Sequence, residues 1–182
     1  MNDAQILSEI RNGNHAAFRE LVGRYEGLIS ATIIGMIGHC SEAEDIGQEV
    51  FVRFYKALDK FRGEAALSTY LTRIAINLSL NEIKRRKRRS QLFLHSDDQI
   101  TDLEDKNNNP EKDENRELIQ RAIQALSPKY RSVIVLRLID GYSTEEAAKI
   151  LKVPIGTVLS RLARAQQKLK ELLSPMMEFN HG

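Results

Sequence analysis

The sequence predicts an all-α chain: two small helical domains joined by a flexible acidic linker, the C-terminal one containing a helix-turn-helix. Three observations predict it. Apolar residues recur at three- and four-residue spacing over long runs, and no stretch alternates convincingly in the manner of a strand. Helix-start signatures stand directly before those runs: Asn14, Ser41 with Glu44, Ser127 with Pro128, and Ser143 with Glu146. The charge is also divided: residues 1–89 carry 14 basic and 11 acidic side chains, residues 90–116 carry 3 and 8, and residues 117–182 carry 10 and 6. The predicted boundaries are therefore 1–89, 90–116 and 117–182.

Composition narrows the class further. The chain has no tryptophan and only 6% aromatic residues, which suits helices cored by Leu, Ile, Val and Ala. Cys40 is the only cysteine, so no intramolecular disulfide forms, and one Cys beside His39 falls far short of a zinc site. No metal and no cofactor are expected. The longest apolar stretch, LISATIIGMIG at 28–38, is too short to span a bilayer. The N-terminus lacks the basic flank and apolar core of a signal peptide, so a reducing, cytoplasmic setting is expected.

The first block reads as about four helices. Asp3 is placed to cap a short one with Ile6, Leu7 and Ile10 inward. Asn14 precedes a long one carrying Phe18, Leu21, Val22, Tyr25, Leu28, Ile29, Ile33 and Ile37. The Ser41/Glu44 capping box opens a third, over 41–59, with Ile46, Val50, Phe54, Ala57 and Leu58 inward. FRGEAALS is a break, and Ser68 or Thr69 starts a fourth helix with Leu71, Ile74, Ala75, Leu78 and Ile83 as its stripe. That helix runs into KRRKRR, 84–89, whose last two arginines are expected at a frayed end.

The bridge, 90–116, has almost no apolar content after LFL and carries NNNP near its centre. Such a stretch buries too little apolar surface to offset its ordering entropy, hence the linker.

In the second block, Ser127 and Pro128 start a helix that stops at Gly141, and the Ser143/Glu146 capping box starts a short one. KVP turns the chain into a longer helix, which Ser174 and Pro175 are expected to end. Ala147 and Ala148 permit close helix approach, and Val153 fills the gap between the pair. At about 100° per residue, Val158, Leu162, Ala165, Leu169 and Leu172 fall within roughly 80° of arc. Thr157, Ser160, Arg161, Arg164 and Lys168 cluster on an adjacent face, the arrangement a recognition helix needs. A helical hairpin with a solvated basic face has the same pattern, and both readings stand on pattern alone.

Two faces of the first block are also candidates. Glu42, Asp45, Gln48, Glu49 and Val52 lie away from the apolar stripe of the 41–59 helix. That face is solvated surface, a docking face for a basic protein partner, or, least supported because no histidine accompanies it, a metal site. Tyr70, Arg73, Asn77, Asn81 and Lys84 recur at three to four residues on the helix over 69–89. An aromatic ring, a guanidinium and amides are what a surface needs to stack on and hydrogen-bond unpaired bases. The Phe61–Ser68 loop could form a pocket for an extruded base. Taken singly, Tyr70 as a half-buried core residue and Asn77 as a solvated amide remain open.

Two long stretches carry a family resemblance. AEDIGQEVFVRFYKALDKFRGEAALSTYLTRIAINLSLNEIKRRKRR resembles region two of the bacterial sigma factors, and LSPKYRSVIVLRLIDGYSTEEAAKILKVPIGTVLSRLARAQQKLKELL resembles their region four. With nothing else but a short linker, the chain resembles the extracytoplasmic-function group of the sigma-seventy class. The resemblance implies an RNA polymerase sigma factor that binds core polymerase and directs promoter recognition and initiation, and not an enzyme. It implies docking of Asp45, Gln48 and Glu49 on the β′ coiled coil, and a further contact with the β flap. It implies minus-ten contacts from Phe61, Arg62, Tyr70, Arg73 and Asn77, with Lys84, Arg85 and Lys87 meeting phosphates. Minus-thirty-five contacts would come from Thr157, Ser160, Arg161, Arg164 and Lys168. It further implies an anti-sigma partner, and no membrane insertion by the chain itself.

This chain departs from the family pattern at Tyr70, where many members have Trp, at Leu159, where many have a basic residue, and at Ala163. Promoter preference therefore does not carry over. A stand-alone helix-turn-helix regulator is the alternative, but it leaves the first block without a task.

Overall fold

A computed structural model of the chain describes residues 1–93 and 110–179, and among these all regular structure is helical. The first bundle holds α1 (Asp3–Arg11), α2 (His15–Ile37), α3 (Ser41–Ala57) and α4 (Leu67–Phe93), with a 3-10 turn, Leu58–Lys60, after α3. The second holds α5 (Pro110–Ala125), α6 (Pro128–Ile134), a π turn (Val135–Ile139), α7 (Thr144–Leu151) and α8 (Ile155–Phe179).

Most expected starts form, with shifts that have local causes. The cap of α1 is Asn2, not Asp3: Asn2 Oδ1 accepts from Gln5 N while Gln5 Oε1 accepts from Asn2 N, both at 2.9 Å. Asp3 is instead tied to Arg24 at 2.8 Å and to the Tyr25 hydroxyl at 2.5 Å. Burial, then this carboxylate, push the Tyr25 phenol up to about 12. The Ser41/Glu44 box does not form. Cys40 is the N-cap of α3, and Ser41 Oγ donates to Glu42 at 3.3 Å. The Ser143/Glu146 box does form.

Both ends of the expected linker are helical. The last turn of α4 continues through Phe93, so Arg88 and Arg89 lie within a helix and not at a frayed end. Helix α5, which the apolar pattern did not reveal, begins at Pro110. Residues 94–109, the centre of the expected linker, lie outside the described residues. Pro175 stands inside α8 instead of ending it. Proline there forgoes only the bond to the carbonyl of residue 171, and this stretch of the helix is exposed, so water reaches that carbonyl.

The two bundles share one core. Ile6, Leu21, Ile29, Ile33, Phe54 and Leu71 of the first join Ile134, Leu136, Ile150 and Val158 of the second in a single buried cluster. The joint lies along the last turns of α2. A Cβ on Gly35 would stand 2.9 Å from Val135 Cγ2 and 3.2 Å from Cγ1, so only glycine allows this approach.

The end of α2 explains why the joint is specific. The last four carbonyls of a helix lack intrahelical partners. Here the carbonyls of Ile34, Gly35, Met36 and Ile37 accept from Gln120 (2.8 Å), Gln124 (2.9 Å), Arg131 (2.6 Å) and Arg86 (3.0 Å) in turn, that of Ile34 also accepting from the capping Gly38 N–H at 2.8 Å. Three of these donors belong to the second bundle. Arg131 is buried, and among the described residues no carboxylate pairs with it. It is held by carbonyls of Met36, Leu126 and Gln124 at the negative end of the helix dipole. Burial, then the nearby Arg86 charge, lower its pKa.

Further bonds cross the same joint. Thr32 Oγ1 donates to Asp140 Oδ2 at 2.8 Å, the hydroxyls of Thr72 and Tyr142 stand 2.7 Å apart, and Arg73 donates to the Lys149 carbonyl at 3.1 Å. The π turn positions Asp140, whose N–H reaches the Val135 carbonyl five residues back at 2.9 Å.

Candidate nucleic-acid interface

Three faces carry the residues singled out by the sequence. On α3, spacing at i, i+3, i+4 and i+7 places Asp45, Gln48, Glu49 and Val52 on one side. Asp45 and Gln48 are exposed, and Glu49 pairs with Arg53 at 2.6 Å. Tyr55 continues the row, 44% exposed, with its ring edge-on to Phe18 at 5.1 Å. Sequence reasoning missed Tyr55, although its position seven residues after Gln48 was a signal. The row thus combines carboxylates with an exposed aromatic and an exposed valine, a composition that fits a protein partner. Glu42 is not part of it. It turns toward Arg86 at 3.7 Å and Arg85 at 4.0 Å. A backbone hydrogen bond, together with Arg86, holds its carboxyl below the ordinary range despite some burial.

The second face joins the 61–66 loop to α4. Arg11 pins the base of the loop by donating to the carbonyls of Phe61 (2.7 Å) and Leu58 (3.3 Å). Gly63, at φ +71, turns it. Arg62 is exposed. Phe61 is not: it is 8% exposed and packs edge-on against Tyr70 at 4.9 Å and Phe54 at 5.8 Å. Its ring forms a floor under Tyr70, which is itself half-buried. Asn77, Asn81 and Lys84 follow Tyr70 along the helix, all exposed. Arg73 shares their side but is half-buried and already engaged with the Lys149 carbonyl, its Nε without a partner.

The basic run at 84–89 divides by helical phase. Arg86 points inward, donating to Glu82 (3.0 Å), the Ile37 carbonyl (3.0 Å) and Cys40 Sγ (3.0 Å). Arg85 pairs with Glu82 at 2.7 Å. Burial raises the Glu82 carboxyl, but bonds from Arg85 and Arg86 outweigh it and the net shift is downward. Lys84, Lys87, Arg88 and Arg89 are exposed.

The third face is the start of α8. Val158 and Ala165 are fully buried and fix the rotation of the helix. Ser160, Arg164 and Lys168 are exposed, and Thr157 and Arg161 are half-buried on the same side. Ser160 Oγ donates to the Thr157 carbonyl at 3.1 Å. The ammonium groups of Lys129 and Lys168 stand 4.9 and 5.9 Å from the centre of the Tyr130 ring. The neighbouring Arg164 guanidinium, with these two lysines, holds the Tyr130 phenol below its ordinary range. The result is a cluster of cations suited to phosphates. Among the described residues no group of three or more His, Cys, Asp or Glu is placed to hold a metal ion, and no helix is long and apolar enough to cross a membrane.

Residues 21–89 match the family model "Sigma-70 region 2", and residues 116–169 match "Sigma-70, region 4". The RNA polymerase sigma-H factor of Pseudomonas aeruginosa is 33% identical, covering 96% of this chain and 95% of its own. The ECF RNA polymerase sigma-E factor of Escherichia coli K12 is 32% identical, covering 97% of each. Among solved structures, CnrH in complex with the cytosolic domain of CnrY superposes with a TM-score of 0.70 at 26% identity, covering 95% of this chain and 97% of that one. The sigma factor RpoE in complex with the anti-sigma factor NepR from Bartonella quintana gives 0.68 at 25% identity, covering 86% and 96%.

Proposed function

Because the chain belongs to the extracytoplasmic-function RNA polymerase sigma factors of the sigma-70 class, it binds core polymerase and directs promoter recognition and initiation, and we propose how its three faces divide that work. The row on α3, Asp45, Gln48 and Glu49 with Val52 and Tyr55, docks the β′ coiled coil. The loop and α4 open and hold the minus-ten element. Tyr70 offers a ring to an unstacked base with Phe61 beneath it, Arg62 and Asn77 offer donors, and Lys84 and Lys87 meet phosphates. Arg73 and Arg85 join once their present partners release them. Thr157, Ser160, Arg161, Arg164 and Lys168 read the minus-thirty-five element in the major groove, with the rest of the second bundle against the β flap. The chain supplies binding and the polymerase supplies the chemistry, in the cytoplasm.

One observation supports the reading: an acidic row with an exposed aromatic, and two separate faces bearing cations and polar side chains, occur on a single chain. A second constrains how it works. The two promoter elements lie about 25 base pairs apart, roughly 85 Å at the 3.4 Å rise of the duplex. In this arrangement α4 and α7 touch through Arg73 and Lys149. The bundles must therefore separate for both elements to be bound at once. The closed arrangement is the form that an anti-sigma partner holds, consistent with the partner named for the Bartonella relative.

Run-off transcription by purified bacterial core polymerase, with and without the chain, tests the function. Promoter-dependent transcripts are expected only with the chain. A failure of the chain to co-purify with core polymerase would sink the docking assignment.

A further inference from the structure

The helix that reads the minus-thirty-five element has two unlike flanks. Val158, Leu162 and Ala165 face the core. At about 100° per residue, Gly156, Ser160 and Ala163 lie opposite them along the outermost line. Thr157, Arg161, Arg164 and Lys168 occupy one flank. The other begins with Ile155 and Leu159, one turn apart, 46% and 53% exposed.

Large aliphatic side chains in this position have a specific counterpart in DNA. The first turns of a recognition helix meet base edges in the major groove, and the only apolar group there is the C5 methyl of thymine. Small residues along the outermost line let the helix approach the groove floor. The cationic flank, meeting phosphates as well as base edges, fixes which way the helix is turned and leaves Ile155 and Leu159 beside the bases on the other flank. Leu159 has no hydrogen-bonding group, and its contribution to sequence preference is confined to apolar contact.

We propose that Leu159, supported by Ile155, reads thymine methyl groups in the minus-thirty-five element, a specificity role that rests on the promoter-reading function of α8 given above. Leu159 is exposed, so its replacement leaves the fold intact.

The test uses the holoenzyme, this chain with core polymerase, on duplexes it enriches from a random pool. Each thymine of the enriched minus-thirty-five element is then replaced singly by deoxyuridine, which removes the methyl and keeps every hydrogen-bonding group. Native holoenzyme should bind about fourfold more weakly for each methyl that Leu159 covers, the worth of one buried methyl. Holoenzyme carrying Leu159→Ala should show no loss at the same positions. Uracil tolerated at every position, an element without thymine, or a full uracil penalty retained by Leu159→Ala would each overturn the proposal while leaving promoter reading by α8 in place. Enrichment of no minus-thirty-five sequence at all would overturn both.

Discussion

Helices α3 and α4 are neighbours in one bundle, and each turns a polar row outward, yet the two rows stand in different states. Among the described residues, Asp45, Gln48, Val52 and Tyr55 of α3 make no side-chain hydrogen bond or ion pair with the second bundle. On α4, Arg73 is engaged by the Lys149 carbonyl. The row proposed for docking is open, while the row proposed for strand opening is partly occupied by the chain's own second bundle. The difference lies in the partners, not in residue type, and the joint at the end of α2 maintains it.

The strongest way to break the contrast is to remove the donor at its centre. Arg131→Met leaves the Met36 and Leu126 carbonyls without their buried partner. The expected loss from these unsatisfied carbonyls is about 3 kcal/mol, lowering Tm by about 6–12 °C in a chain this size. Calorimetry measures it, and an unchanged Tm would show that the joint contributes little.

A gentler lever is Asp140. Burial raises its carboxyl to about 6 from the ordinary 3.8, with Thr32 opposing the shift. Separation of the bundles returns Asp140 to water and to its ordinary range, so the closed form holds the proton more tightly. Its contribution to closure is fully present below pH about 4 and is lost as pH rises through about 6. Acidification from neutrality to about pH 5 should favour closure by roughly 1 kcal/mol. Energy transfer between dyes on the two bundles reads this directly. Asp140→Asn should remove the pH dependence over that window; if the dependence survives, another group carries it.

The open row is tested by reversing its charge. Asp45→Lys with Glu49→Lys should weaken core polymerase binding at least tenfold, on the order of 1.4 kcal/mol, with thermal stability nearly unchanged. Titration of labelled chain with core polymerase gives the affinity, and an equal affinity would move the docking site elsewhere.

The smallest expected effect sharpens the division within KRRKRR. Alanine at Lys84 and Lys87 should flatten the salt dependence of promoter binding by about one unit of slope per lost phosphate contact, and leave base preference unchanged. Arg86→Ala should act differently, lowering stability, because it uncovers the Ile37 carbonyl and half of the Glu82 pairing. Equal behaviour of Lys87 and Arg86 variants would refute the division by phase.

Sequence periodicity located α1, α2, α3 and α8 because each presents one apolar stripe to a core, as Ile6, Leu7 and Ile10 do. It under-read the last turns of α2 and the middle of α4, where Thr32, Gly35, Thr72 and Ser79 are buried on a second side. Helix α5 was hidden for a related reason: its anchors include Gln120 and Gln124, polar residues that look solvated until the α2 carbonyls they reach are in view.

The sequence alone determined the family, the helical class, and the faces of α3 and α8, since a helix's phase follows from its own spacing. Only the tertiary structure decided that Phe61 is buried beneath Tyr70, that Arg86 and Arg131 serve carbonyls, and that Asp140 is a half-buried acid. Each of these depends on a group distant in sequence, and local periodicity contains no information about which distant carbonyl or ring will be brought near.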